Sequence, residues 1–273
     1  MKNIVVATKK NVGYYNILKQ SCKIHNIELV TLGLGQKWTH FILKFDLWLE
    51  YLNKLDDDNE IVMINDAYDV IMLQNSNTIL KKFKQFNKKI IFGIQDGFFT
   101  NIIFNKCKEY VICSGNIIGY VKYLKKFIQL IFKHKNIWKK NNNDDQIIVN
   151  NICEIERPFF IKYTSIDKHQ KIFFTTTGDQ NYVLSYLINS DINGLKMKNK
   201  KLYNKNNIQP SVLHLGGNID GNKYLKYIGY NVNDIQIHGF YKVKQMIAFL
   251  ISVLKKYMLM ILLVILIYHY YFN

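Results

Sequence analysis

Asp66 and Asp69 stand three residues apart in Asn65-Asp66-Ala67-Tyr68-Asp69, directly after the apolar run Ile61 to Ile64. Two carboxylates so spaced past a buried strand can turn toward one point. Hard oxygen ligands suit Mg²⁺ or Mn²⁺, ions that neutralise a diphosphate. A diphosphate leaving group gathers charge as the bond to it breaks, and such an ion offsets that charge. Tyr68, between the acids, offers a flat face to a nucleobase. The same pair also reads as turn-forming or helix-capping aspartates. His214 follows Val212-Leu213 and precedes Gly216 and Gly217. It can be a third metal ligand, with the glycines allowing a phosphate to approach closely, or a structural histidine. Asp144-Asp145-Gln146 puts adjacent acids in a polar loop. They suit a sugar-hydroxyl clamp or a general base, or the cap of a helix beginning near Gln146. Lys44 opens a helix and could reach a phosphate or remain on the surface. No Walker A loop, GxGxxG fingerprint, HExxH or GxSxG occurs, which removes several common enzyme classes.

These residues need elements to hold them. Ile4 to Ala7, Ile27 to Leu32, Ile61 to Ile64 and Lys89 to Ile94 read as buried strands. Apolar spacing of three and four predicts helices over Tyr15 to Ile24, Phe41 to Leu55, Ile79 to Phe86 and Val121 to Phe132. Strands that are unbroken apolar runs and alternate with helices predict an α/β fold with a mostly parallel sheet covered on both faces. Such sheets bind ligands at the carboxyl ends of their strands, which points to Thr8 and to Asp66 through Asp69. Val111 to Asn116 reads as a strand ending in a small-residue turn, and Val212 to His214 as a short strand.

Hydrophobic residues make up 49% of the chain and charged residues 21%, so a large core is available and disorder is not expected. The net charge of +17 raises the question of a polyanionic partner. The lysines are scattered, not gathered on one helix or tail, so no specific nucleic acid is expected. The Lys, Asn and Ile bias reads as A/T-rich coding, as in a large DNA virus or an A/T-rich microbe. None of the four cysteines forms a CxxC pair, so a zinc site is not expected, and nothing forces a disulfide. The first apolar run is too short for a signal peptide, and no Asn-x-Ser/Thr acceptor occurs, which favours a cytosol-facing catalytic domain. Residues 1–240 form the expected catalytic domain. Residues 243–273 are an apolar C-terminal segment, with its core at Tyr257 to Phe272. A hydrocarbon core needs about 20 apolar residues. Lys255 and Lys256 flank this run and its tyrosines suit the interface, so a single-pass membrane anchor is expected, with an amphipathic or buried terminal helix as the alternative.

In order, from about Ile4 to Lys223, these pieces resemble the glycosyltransferase domain of procollagen lysyl hydroxylases and related collagen glycosyltransferases, in the form a giant-virus member would take. The resemblance runs through Val6-Ala7-Thr8-Lys9, Leu32-Gly33-Leu34-Gly35 with Trp38, Lys44, and Ile64-Asn65-Asp66-Ala67-Tyr68-Asp69-Val70. It continues through Ser114-Gly115-Asn116 with Ile118-Gly119, Asp144-Asp145-Gln146, Asp167 to Phe173, and His214-Leu215-Gly216-Gly217. It implies a GT-A type, Rossmann-like fold, a UDP-glucose or UDP-galactose donor, and Mn²⁺ or Mg²⁺. By position, Asp66, Asp69 and His214 would bind the metal, Tyr68 would stack on uracil, and Thr8 would line the uridine site. Lys44 would approach the diphosphate, with Gly217 beside it, and Asp144 and Asp145 would hold the donor sugar or assist acceptor activation. The implied acceptor is hydroxylysine or galactosyl-hydroxylysine of a collagen-like protein. Three stretches depart from the pattern. The Gly-rich run is shortened between Trp38 and Lys44, a Trp-Pro loop is replaced by Asp96-Gly97-Phe98-Phe99, and an expected asparagine is Gly216. They border the donor and acceptor pockets, so a catalytically inactive, membrane-tethered binding or scaffold relative is the competing expectation.

Overall fold

The computed structural model describes residues 1–95, 109–140, 144–176, 191–216 and 219–233, with Thr100, Phe104, Cys107, Ile235, Tyr257 and Met258. Strands β1 (Lys2–Val6), β2 (Glu28–Leu32), β3 (Ile61–Asp66), β5 (Ile90–Ile94), β6 (Ile112–Tyr120) and β7 (Thr164–Ile166) form a six-stranded sheet in the order β2-β1-β3-β6-β5-β7. A second sheet has the order β4-β11-β8, from β4 (Val70–Met72), β8 (Phe173–Thr175) and β11 (Val212–His214). β9 (Lys196–Lys198) and β10 (Lys201–Tyr203) make a two-stranded ribbon. The helices are α1 (Tyr15–Ile24), α2 (Ile42–Asn53), α3 (Ser76–Lys84), α4 (Val121–Lys133), α5 (Lys135–Lys140), α6 (Asp145–Ile155), α7 (Arg157–Tyr163) and α8 (Asn222–Tyr227).

Side chains alternate across a strand, and here both faces of the large sheet are apolar. Ile4, Val6, Val62, Ile64, Ile90 and Phe92 pack on one side with Trp48 of α2, Phe127 of α4 and Ile148 of α6. Val5, Met63 and Ile91 face the other way, toward Leu18 of α1 and Phe83 of α3. A third cluster, including Ile71, Leu213, Tyr224 and Leu225, covers the far side of the small sheet.

The expected mostly parallel sheet is corrected to a mixed one. β1 runs parallel to β2 and β3, and β5 parallel to β7, but β6 lies antiparallel to both of its neighbours, β3 and β5. An unbroken apolar run reports burial on two faces and carries no information on direction. β6 also does not end in a turn at Ser114 to Asn116. The small residues form a bulge: Gly93 pairs with Cys113 and Phe92 with Ile117, so three residues of β6 have no partner on β5. Nor did the sequence signal the disulfide that joins Cys107 to Cys153 of α6, with Cα atoms 5.3 Å apart. Among the described residues no helix is long and apolar enough to cross a membrane. The expected apolar segment 243–273 lies outside the described residues except for Tyr257 and Met258.

Lys82 ties α3 to the small sheet. Its Nζ donates to Gln74 Oε1 (2.6 Å), the carbonyls of Lys171 and Gln209 (both 2.7 Å), and Ser211 Oγ (3.2 Å). Lys82→Met keeps the apolar stem and removes every one of these donations. It should cost about 3 kcal/mol, because hydrogen bonds from a charged donor are among the stronger ones and the acceptors left behind lose their partner. Urea unfolding would measure the loss, and an unchanged midpoint would show that water replaces the ammonium at no cost.

Candidate active site

The register of the strands brings the acidic motif and His214 together. Asp66 ends β3, paired with Val6 of β1. After the short turn through Asp69 the chain enters β4, whose Val70 pairs with His214 of β11. The Asp69 carbonyl then accepts from the Leu215 amide at 2.7 Å. Residues far apart in sequence thus reach one point because β4 and β11 share a ladder.

One ligand atom from each of Asp66, Asp69 and His214 lies within 4.8 Å of the others. His214 Nε2 is 3.4 Å from Asp69 Oδ1 and 3.7 Å from Asp66 Oδ2. Two carboxylates and an imidazole are a donor set that suits Mn²⁺ or Mg²⁺. Burial works against a charge on His214, but the carboxylate of Asp69 and the thiol of Cys113 outweigh it and hold the imidazole well above its usual range. Gly115 keeps the space open. A Cβ there would overlap the Asp66 carboxylate, 2.7 Å from its Cγ, and come 3.0 Å from His214 Cε1. Gly115→Ala should therefore displace Asp66 and weaken Mn²⁺ binding tenfold or more, on the order of the 1–3 kcal/mol that an added methyl costs in a packed site. Calorimetric titration with Mn²⁺ would check this, and wild-type affinity would show that the carboxylate can move aside freely.

Lys44 is nearly buried and joins the two acidic elements. Its Nζ lies 2.7 Å from Asp66 Oδ1 and 2.6 Å from Asp145 Oδ2. Burial opposes its charge, but Asp145 and Asp66 prevail, so the ammonium is held above the usual lysine range. Its nitrogen also lies over the Trp48 ring, 5.4 Å from the centroid. Asp145 accepts from Ser114 Oγ at 2.9 Å, and Gln146 Oε1 accepts from the Ser114 amide at 3.0 Å. These bonds dock the start of α6 onto the bulge of β6.

Asp144 is drawn less fully into the site. It is the N-cap of α6, where its Oδ1 accepts from the Ile147 amide at 2.9 Å. Burial pushes its carboxyl upward, while the backbone bond and Lys44 pull the other way. Tyr68 is fixed by its hydroxyl, which accepts from the amides of Thr8 (2.8 Å) and Lys9 (2.9 Å). Thr8 and Tyr68 are thus neighbours, as a shared nucleoside site would need. Gly217 lies outside the described residues, as does the Asp96 to Phe99 segment. The sequence reading gave no role to Cys113, Ser114, Gly115 or Asn116. Their only signal was a small and polar patch inside an otherwise apolar strand, which read as a turn.

A family model described as the PLOD GT domain matches residues 1–239. Human procollagen-lysine,2-oxoglutarate 5-dioxygenase 2 is 26% identical over 244 residues, covering 83% of this chain and 30% of that protein. The multifunctional procollagen lysine hydroxylase and glycosyltransferase of Caenorhabditis elegans is also 26% identical, over 246 residues, covering 83% and 31%. The chain therefore spans only about a third of the length of these relatives. Among solved structures, the galactosyltransferase LgtC in complex with donor and acceptor sugar analogs is 15% identical with a TM-score of 0.48, covering 84% of this chain and 95% of that one.

Proposed function

Since this chain belongs to the PLOD GT domain family, a family of glycosyltransferase domains, we propose that it moves a hexose, glucose or galactose, from a UDP-sugar to an acceptor hydroxyl on a GT-A type fold. The convergence of Asp66, Asp69 and His214 at the carboxyl end of β3, with Lys44 and Asp145 beside them, carries this reading. An inactive scaffold has no need to keep a buried lysine between two acids next to a metal-ligating set.

Asp66, Asp69 and His214 would hold Mn²⁺ or Mg²⁺. Bound there, the ion supplies positive charge against the departing diphosphate. Lys44 adds a second cation on the same side, already desolvated and aimed by its two carboxylates. Tyr68 presents its ring to the uracil, with the hydroxyl anchored by the Thr8 and Lys9 amides, and Thr8 lines the uridine. Gly217 is assigned to the phosphate approach. Asp145, held by Lys44 and Ser114, is oriented toward the donor sugar. Asp144, its carboxyl raised by burial, takes the proton of the acceptor hydroxyl. Hydroxylysine or galactosyl-hydroxylysine in a collagen-like chain is the acceptor suggested by the human and nematode relatives. Residues 257–272 are assigned to a membrane anchor. Deleting the residues after Lys256 should release the protein from membranes, and persistent association would argue against a single anchor.

The test is hydrolysis of a panel of UDP-sugars without acceptor, with Mn²⁺ and with chelator. Metal-dependent release of UDP from one sugar would support the assignment and identify the donor. Failure of both UDP and Mn²⁺ to bind would overturn it in favour of a scaffold.

A further inference from the structure

His214 faces two ways. Nε2 points to Asp66 and Asp69, and Nδ1 points to the bulge of β6. There the side-chain amide of Asn116 lies 2.9 Å from Nδ1 through Nδ2, and the same Nδ2 is 2.9 Å from Thr175 Oγ1. Cys113 Sγ is the other neighbour of Nδ1, at 3.5 Å. In a regular strand, residues three apart point to opposite faces. The bulge puts Cys113 and Asn116 on the same ring nitrogen. Asn116 is fully buried and wedged, since a Cβ at Gly93 would come 2.8 Å from its own Cβ.

With Nδ2 toward the ring, Asn116 Oδ1 is buried and has no hydrogen-bond partner. This order offers Nδ1 a donor. It suits only the tautomer with the proton on Nε2, and a protonated Nε2 cannot ligate a cation. A metal-ligating histidine carries its proton on the other nitrogen and gives it to an acceptor. The two ends of an amide have the same shape, so turning it over keeps the packing and exchanges donor for acceptor. Oδ1 then accepts from Nδ1–H, and also from Thr175, whose hydroxyl can serve as donor or acceptor.

We infer that Asn116 is a positioning residue for the metal centre: its amide turns Oδ1 toward His214 Nδ1 when a divalent cation binds, selecting the tautomer that leaves the Nε2 lone pair free. This rests on Asp66, Asp69 and His214 being the metal ligands. Asn116 touches neither metal nor substrate in this scheme and acts through the imidazole alone.

Two measurements test it on the whole chain, using the metal ions alone as probes. In Mg²⁺-saturated wild-type protein, ¹⁵N NMR should find the His214 proton on Nδ1 and none on Nε2, with the His214 signals identified by their loss in His214→Gln. A proton on Nε2 in that state overturns the inference without any change to Asn116. In Mn²⁺ titrations, Asn116→Leu, of equal shape but unable to accept, should bind about 10- to 100-fold more weakly. Asn116→Asp, which retains an acceptor, should keep wild-type affinity or exceed it, and Cys113→Ala should change affinity by no more than about twofold, well short of such a second-shell loss. Unchanged affinity in Asn116→Leu, or a loss that follows Cys113→Ala in its place, overturns the role of Asn116. If wild type binds Mn²⁺ and Asp69→Ala does not, the metal centre stands whichever way Asn116 falls. If neither binds, the ligand assignment fails and takes this inference with it.

Discussion

Replacing Asp69 with alanine should lower metal-dependent turnover of the UDP-sugar by ~10³-fold or more, because the site loses one of its two anionic ligands and several kcal/mol of charge stabilisation with it. The fold should survive. What Asp69 gives to the architecture is its backbone carbonyl, which accepts from Leu215 and is retained in the variant. Mn²⁺ affinity and kcat should fall together, with the circular dichroism spectrum and the urea midpoint close to wild type. Full activity in this variant would remove Asp66, Asp69 and His214 as the metal centre. Activity lost together with the fold would instead show that the aspartate is a structural turn residue.

Lys44→Met should have the second largest effect, on stability as well as on rate. It leaves Asp66 and Asp145 without the ammonium that lies 2.7 and 2.6 Å from them. Removing one partner of a buried charge cluster costs about 3–5 kcal/mol, mostly the penalty of the uncompensated charge left behind. A cation bound at Asp66 would compensate part of that charge. The deficit should therefore narrow when Mn²⁺ is saturating, and unfolding measured with and without the ion would reveal the difference. Equal stability of the variant and wild type without metal would show that the two carboxylates reach water or take up protons, and that the lysine is not their counter-ion.

Much of this site could be read before any coordinates, and the reason is local. Asp66 and Asp69 sit at the end of an apolar run, so strand-end placement follows from hydrophobic pattern alone. Tyr15 to Ile24 was legible as a helix from its spacing, and α1 spans those residues. The direction of β6 was not legible, since Ile117 and Ile118 are buried on opposite faces whichever way the strand runs. The contact of His214 with Asp69 depends on β4, a three-residue strand too short to show a period. Ser114 to Asn116 looked like a turn because small polar residues end most strands. Here they carry the bulge that holds His214 and Asp145. Lys44 was recognisable as a candidate only by resemblance, as a single lysine in a helix has no signature of burial.

The disulfide between Cys107 and Cys153 joins residues 46 apart, and closing a loop of that length removes chain entropy equivalent to about 4 kcal/mol in the unfolded state. That makes the stability of the fold a function of the surrounding thiol–disulfide poise. Copies that mature in an oxidising lumen hold the bridge, whereas copies exposed to a glutathione-reduced cytosol give up a large share of a marginal folding free energy. Cys153 lies in α6, the helix whose first residues are Asp144 and Asp145, so the same bond couples the redox state of the compartment to the part of the protein that is assigned to the sugar.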